Sequence, residues 1–207
     1  MATIQLNKIG KKFGTHWLFR NIIFGISSGE KIAVTGSNGS GKSTLLQLIS
    51  GHMRPSEGEI TIAIKDTKIP TEKWYEQLSW CAPYIDIIEE FSPTEFLNFY
   101  REHKSFLNAV TTNQIIDLCM LKESAHQPIN QFSSGMKQRL KLATAILTDA
   151  PVLLLDEPLS NLDEKGNQFY KDLITTYANN KTIIVCSNEY EKEFFFCTRK
   201  IKIEDYK

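Results

Sequence analysis

The chain has 207 residues, 42% of them hydrophobic, with 24 Lys and Arg against 24 Asp and Glu. That length makes one domain of ordinary size, or one core carrying an inserted subdomain. The balanced charge speaks against a protein that grips nucleic-acid backbones, which carries a basic surplus, and no apolar run approaches the ~18 residues that cross a bilayer.

In chain order, Ile4, Leu6 and Ile9 in MATIQLNKIGKKF alternate with polar residues and predict a first strand; the segment lacks a secretory apolar core. IIFGI (22–26) suggests a second strand, SSGE a turn, and KIAVT (31–35) a short apolar strand. A glycine-rich loop follows, then helical character in TLLQLIS (44–50) that Gly51 stops. RPSEGEI is turn chemistry leading into ITIAI. These β elements predict an antiparallel flank to a nucleotide-binding core.

Between about residues 89 and 147 the pattern turns helical. FSPTEFLNFYREH offers a Ser–Pro helix start with Phe96, Leu97, Phe99 and Tyr100 as its apolar residues. NQIIDLCMLKESA is a second helical pattern, and MKQRLKLATAIL a third, with Leu140, Ala143, Ile146 and Leu147 on one face. Strand character returns at VLLLD (152–156) and TIIVCS (182–187), separated by an amphipathic helix around 168–177. Short apolar strands alternating with helices predict a parallel sheet buried on both faces. Cys81, Cys119, Cys186 and Cys197 are scattered without metal-ligand spacing and beside apolar residues, so buried free thiols are expected. A soluble, intracellular protein is the expectation.

Three motifs carry chemistry. GSNGSGKST (36–44) satisfies G-x-x-x-x-G-K-[ST] between a strand and a helix. Gly36, Gly39 and Gly41, with Ser37, Asn38 and Ser40 between them, let the backbone wrap so that its N–H groups face phosphates. Lys42 supplies a point charge to the β- and γ-phosphates, the Ser43 hydroxyl a ligand for Mg²⁺, and Thr44 a further N–H and hydroxyl. PVLLLDEP (151–158) is an apolar strand ending in two carboxylates: Asp156 can hold Mg²⁺, and Glu157 is placed to polarise an attacking water. FSSGMKQR (132–139) sets small hydroxyl residues and a glycine before a helix, a second candidate anion site.

Together these motifs resemble the nucleotide-binding subunit of the ATP-binding cassette (ABC) family, nearly end to end. The fold implied is α/β: a P-loop NTPase (RecA-like) core with a parallel sheet, an N-terminal antiparallel β flank and an inserted helical subdomain. It would be a single ATP-binding domain over 1–207, with its core at about 1–84 and 149–207 and its helical subdomain at about 85–148. The family's signature loop, commonly LSGGQ, corresponds to FSSGM here: Ser133 and Gly135 are kept, Ser134 replaces a glycine and Met136 a glutamine. The resemblance implies that Ser133, Ser134, Gly135 and Met136 bind the γ-phosphate of ATP held by another copy in a head-to-tail dimer. Phe13 matches the aromatic that stacks on adenine. Asp163 in SNLD matches an aspartate that works across the dimer interface, and in monomeric terms would start the next helix.

Two positions depart from the family pattern. Pro83 falls where the family places a glutamine, and Asn188 where it places a histidine; an amide donates a hydrogen bond but carries no charge and shuttles no proton. His16, His52, His103 and His126 read as surface or structural. Catalysis would therefore rest on Glu157 and Lys42, with Asn188 as a weaker partner, and hydrolysis is expected to be slow rather than absent. The resemblance further implies ATP and Mg²⁺ as ligands, a second nucleotide-binding subunit, identical or different, and a separate integral membrane subunit. No nucleic-acid partner is expected, and the implied location is cytoplasmic, peripheral on the inner face of the cell membrane. The alternative is a nucleotide-gated dimerisation switch with slow or vestigial hydrolysis.

Overall fold

In the computed structural model, which describes residues 2–107 and 110–207, the alternating residues at the start form β1 (Ala2–Phe13). Ala2, Ile4 and Leu6 face inward and Gln5 and Asn7 outward, the period of two that a half-buried strand needs. Leu6 and Ile9 are three residues apart and would face opposite ways on a regular strand. Both are buried because the pairing register shifts between them, where Lys8 takes a φ of 52°. This is a β-bulge, which re-aims Ile9 into the core.

β2 (His16–Ile26) is longer than IIFGI suggested, since a tight turn pairs Phe13 with His16. Next come β3 (Lys31–Thr35), α1 (Lys42–Ile49), β4 (Glu57–Ile64), β5 (Thr67–Ile69) and α2 (Trp74–Gln77). The strands β2-β1-β4-β5 form the antiparallel flank. β6 (Leu78–Cys81), β7 (Val152–Asp156), β8 (Thr182–Ser187) and β9 (Arg199–Lys202) join β3 in a five-stranded sheet ordered β6-β7-β8-β3-β9.

β3 pairs in parallel with β8 and β9, and β7 with β8. Every residue of β7 and β8 is buried, as strands covered on both faces must be. The register puts Thr35 beside Ser187 and Asp156 beside Cys186, so β3, β7 and β8 end together. The residues that follow them, Gly36, Glu157 and Asn188, therefore leave the sheet at one edge, where parallel α/β sheets present ligand sites. One core cluster joins Ile4, Leu6, Phe19 and Ile62 of the flank to Leu45 and Ile49 of α1 and to Val34, Leu154 and Ile184 of the parallel sheet.

Apart from Cys81 at the end of β6, these elements belong to a unit made of the residues up to Trp80 with Ala150–Glu157 and Asn180–Lys207; Cys81–Asp149 and Pro158–Asn179 form a second, helical unit. The second unit holds α3 (Pro93–His103), α4 (Thr112–Leu118), α5 (Ser134–Leu147) and α6 (Glu164–Tyr177). Ser92 starts α3 with a full capping box, its hydroxyl accepting from Glu95 N while Glu95 accepts from the Ser92 N–H. Phe96 and Leu97 are buried, but Phe99 points outward, 42% exposed, against the rings of Phe91 and His103. α4 ends sooner than NQIIDLCMLKESA suggested, because Met120 turns the chain with a φ of 56° into a 3₁₀ turn at Lys122–Ser124. α6 begins before residue 168, where Asp163 caps it.

Cys81, Cys119 and Cys186 are buried and Cys197 partly so, all with free thiols. Burial pushes the Cys119 and Cys197 thiols up to about 12. All four histidines lie in exposed positions. Among the described residues no helix is long and apolar enough to cross a membrane.

Candidate functional site

The glycine-rich loop runs from the end of β3 into α1. Gly36, Gly39 and Gly41 all take positive φ, at 156°, 76° and 110°, a path that L side chains resist. Ser37, Asn38 and Gly39 are exposed at the crest; Gly36 and Ser40 are buried. Gly41 caps α1, and Ser43 and Thr44 stand partly exposed in its first turn. Two of the loop's N–H groups are already engaged, Ser37 N donating to Glu204 and Ser40 N to Ser37 O at 3.1 Å, so the expectation that they face phosphates does not hold for these two residues in this structure. The helix start itself still favours anions through its dipole.

Lys42 is 4% exposed and its ammonium is held on three oxygens: Gly36 O at 2.9 Å, Ser37 O at 3.0 Å and Asn188 Oδ1 at 2.5 Å. The other end of the Asn188 amide donates to Glu157 Oε1 at 2.6 Å. One neutral side chain thus ties the loop's cation to the carboxylate after β7. Glu157 takes a φ of 44° while its N–H donates to Cys186 O at 2.9 Å, so β8 holds a conformation that costs a non-glycine residue energy. Beneath them Cys186 donates its thiol hydrogen to Lys42 O at 3.4 Å, and burial first, then the Asp156 charge, push that thiol well up.

Asp156 is 1% exposed at the end of β7. Its carboxylate and the Ser43 hydroxyl are hard oxygen donors of the type Mg²⁺ takes alongside phosphate oxygens, and the residues present fit that ion. Among the described residues no group of three or more His, Cys, Asp or Glu could hold a metal on its own. An ion here would need oxygen donors beyond these residues.

Phe13 ends β1 beside the hairpin turn, 54% exposed, with the Lys11 ammonium 5.2 Å from its ring centroid. Trp17 nearby has Arg20 4.1 Å and Lys12 5.3 Å from its own centroid. Pro83 and Tyr84 sit exposed in the turn after β6, closed by Ile85 N donating to Ala82 O.

Ser133, Ser134, Gly135 and Met136 belong to the helical unit. Ser133 is the N-cap of α5, its hydroxyl accepting from Met136 N at 3.3 Å, and Ser133 and Ser134 are exposed. A Cβ on Gly135 would lie 3.3 Å from Asn161 O, so this glycine lets the start of α5 approach the SNLD turn closely. Asp163 caps α6 through Oδ1 to Gly166 N at 2.8 Å. Glu204, in the C-terminal 3₁₀ turn, accepts from both the N–H and the hydroxyl of Ser37; IKIEDYK carries no motif that points to it.

A family model described as "ABC transporter" matches residues 19–160. The cytochrome c biogenesis ATP-binding export protein CcmA of Rhizobium johnstonii is 30% identical over 181 residues, which is 84% of this chain and 82% of that protein. An uncharacterized ABC transporter ATP-binding protein of Bacillus subtilis, YcbN, is 31% identical over 192 residues, covering 89% of this chain but only 61% of its own length. In fold, the chain is similar to the ATP-binding cassette MJ0796, solved as a dimer in a post-hydrolysis state with ADP and Pi. The TM-score is 0.79 at 22% identity, over 96% of this chain and 93% of that one.

Proposed function

The chain belongs to the ABC transporter family, and on that premise we propose that it is the ATP-binding and ATP-hydrolysing subunit of a transporter. ATP would place its phosphates in the loop of residues 36–44 and its adenine on Phe13. Lys42 would leave the carbonyls of Gly36 and Ser37 for the β- and γ-phosphates. Ser43 and Asp156 would hold Mg²⁺, which when bound offsets the charge on the β- and γ-oxygens. Glu157 takes a proton from a water as that water's oxygen bonds to the γ-phosphorus; the bond to the bridging oxygen breaks and ADP leaves with the electron pair.

Asn188 acts by placement, holding the Glu157 carboxylate and contributing an amide donor where charge develops. Two copies, or this chain and a related subunit, would pair head to tail, with Ser133, Ser134, Gly135 and Met136 of one facing the γ-phosphate of the other and Asp163 working across the interface. In this scheme residues 85–148 act as the helical subdomain, and dimer closure drives a separate membrane subunit from the inner face of the membrane. No nucleic acid is involved.

The observation that carries this proposal is the continuous link from Lys42 through Asn188 to Glu157, 2.5 and 2.6 Å long, beneath a glycine-rich loop. Steady-state Mg-ATP hydrolysis tests it, with Glu157→Gln as the blank. Turnover above the blank is expected; turnover equal to the blank with ATP still bound would favour a second assignment. That assignment is a nucleotide-gated switch in which ATP closes the dimer and hydrolysis is slow. What favours it is that the group bridging Lys42 and Glu157 is an amide, which cannot carry a proton away.

A further inference from the structure

β9 runs beside β3 with Lys202 opposite Thr35, which brings the C-terminal turn Ile203–Tyr206 alongside the start of the phosphate loop. Ile203 is fully buried in the core cluster, so this turn is anchored rather than hanging free. From it the Glu204 Oε1 accepts from Ser37 N at 2.7 Å and from Ser37 Oγ at 2.9 Å. Gly36 leaves the room for this: a Cβ there would lie 2.6 Å from Glu204 Oε2, 2.7 Å from Ile203 Cγ2 and 2.7 Å from Ser40 Oγ. The two bonds from Ser37 hold the Glu204 carboxyl below its ordinary range.

Ser37 is therefore gripped at both ends of its backbone, its carbonyl by Lys42 and its N–H by Glu204. We propose that Glu204 is a positioning residue for the nucleotide site: it clamps the first turn of the phosphate loop, so that the loop is preset before phosphate arrives. The clamp matters most when the site fills, because Lys42 then exchanges the Ser37 carbonyl for phosphate oxygens while Glu204 keeps its hold on the same residue. This proposal rests on the ATP assignment above, and predicts an effect on affinity rather than on the chemical step.

The test compares the full chain with Glu204→Ala and Glu204→Gln in three measurements: ATP Kd, the split of steady-state hydrolysis into KM and kcat, and amide hydrogen exchange over residues 36–41 without nucleotide. Losing two bonds to a charged acceptor should raise Kd and KM of Glu204→Ala about tenfold, with kcat within about twofold. The Glu204→Gln amide oxygen can accept the same two bonds, so that variant should regain most of the affinity. Exchange over residues 36–41 should quicken in Glu204→Ala and stay near wild type in Glu204→Gln. Unchanged Kd or unchanged exchange in Glu204→Ala would overturn the clamp, as would an equal fall in kcat and Tm in both variants, which marks a merely structural residue. If the wild type bound no ATP, the ATP assignment would fail while hydrogen exchange still decided the clamp.

Discussion

Asn188 holds Glu157 by one amide bond, Nδ2 to Oε1 at 2.6 Å, and no histidine stands among the loop residues this amide joins. An amide keeps its donor and its acceptor at every working pH, so the link between Lys42 and Glu157 does not titrate through Asn188 itself. Asn188→Ala should lower kcat by about 100-fold, the usual cost of removing one positioned donor, with ATP affinity less affected. Asn188→Asp replaces the donor by an anion facing Glu157. Neither carboxylate can donate to the other, so kcat of Asn188→Asp should fall at least as far as that of Asn188→Ala. Wild-type kcat in Asn188→Asp would show that the amide donor does not hold Glu157 for the chemical step.

Lys42 and Glu157 should separate cleanly in mutation. Lys42→Ala removes the cation proposed to meet the phosphates, and ATP binding should weaken by two orders of magnitude or more, on the scale of about 3 kcal/mol for a lost charge-assisted contact. Glu157→Gln keeps the shape and the Asn188 contact surface but cannot accept a proton. It should bind ATP as the wild type does and accumulate as a dimer in size-exclusion chromatography with ATP. A monomer under those conditions, with ATP bound, would count against closure of two copies on nucleotide.

Most of the molecule around this link was legible in the sequence, because the motif and the fold are built by the same residues. KIAVT, VLLLD and TIIVCS are continuous apolar runs, and a parallel strand buried on both faces can be made of little else. β9 is faint in the sequence because Ile201 is the one apolar residue among Arg199, Lys200 and Lys202, too short a pattern to mark a strand; the sheet's edge is set by pairing with β3, not by composition. The bulge at Lys8 was equally silent, since only the partner strands reveal a register shift. Glu204 was hidden for a third reason: it meets Ser37 across 167 positions of sequence, and one carboxylate in a basic–acidic tail looks like any solvated charge.

Asp163 has one role in the fold and a second that is proposed, and one pair of substitutions can divide them. Its carboxylate caps α6 at Gly166 N, and asparagine caps a helix about as well as aspartate does. Asp163→Asn should therefore keep thermal stability within a few tenths of a kcal/mol, whereas Asp163→Ala should lose about 1 kcal/mol. If the charge also works across a dimer interface, Asp163→Asn loses ATP turnover without losing stability. Full turnover in Asp163→Asn, measured beside its melting curve, would confine Asp163 to its cap.

The buried thiols give a stability profile whose sign is fixed. Cys119 donates to Arg139 O, and burial raises its thiol from the ordinary 9.0 to about 12. A folded-state value above the unfolded one means that the native state holds the proton more tightly. The contribution is thus fully present below about 9 and is lost as pH rises toward about 12. At one unit above the unfolded value, one such thiol should account for about 1.4 kcal/mol of lost unfolding free energy. Urea midpoints of the wild type and Cys119→Ala, taken at pH 8 and pH 10, read this directly. The wild type should lose more stability between the two pH values than the variant does. Parallel losses would show that Cys119 ionises as readily in the folded chain as in the unfolded one, and that its burial does not shield it.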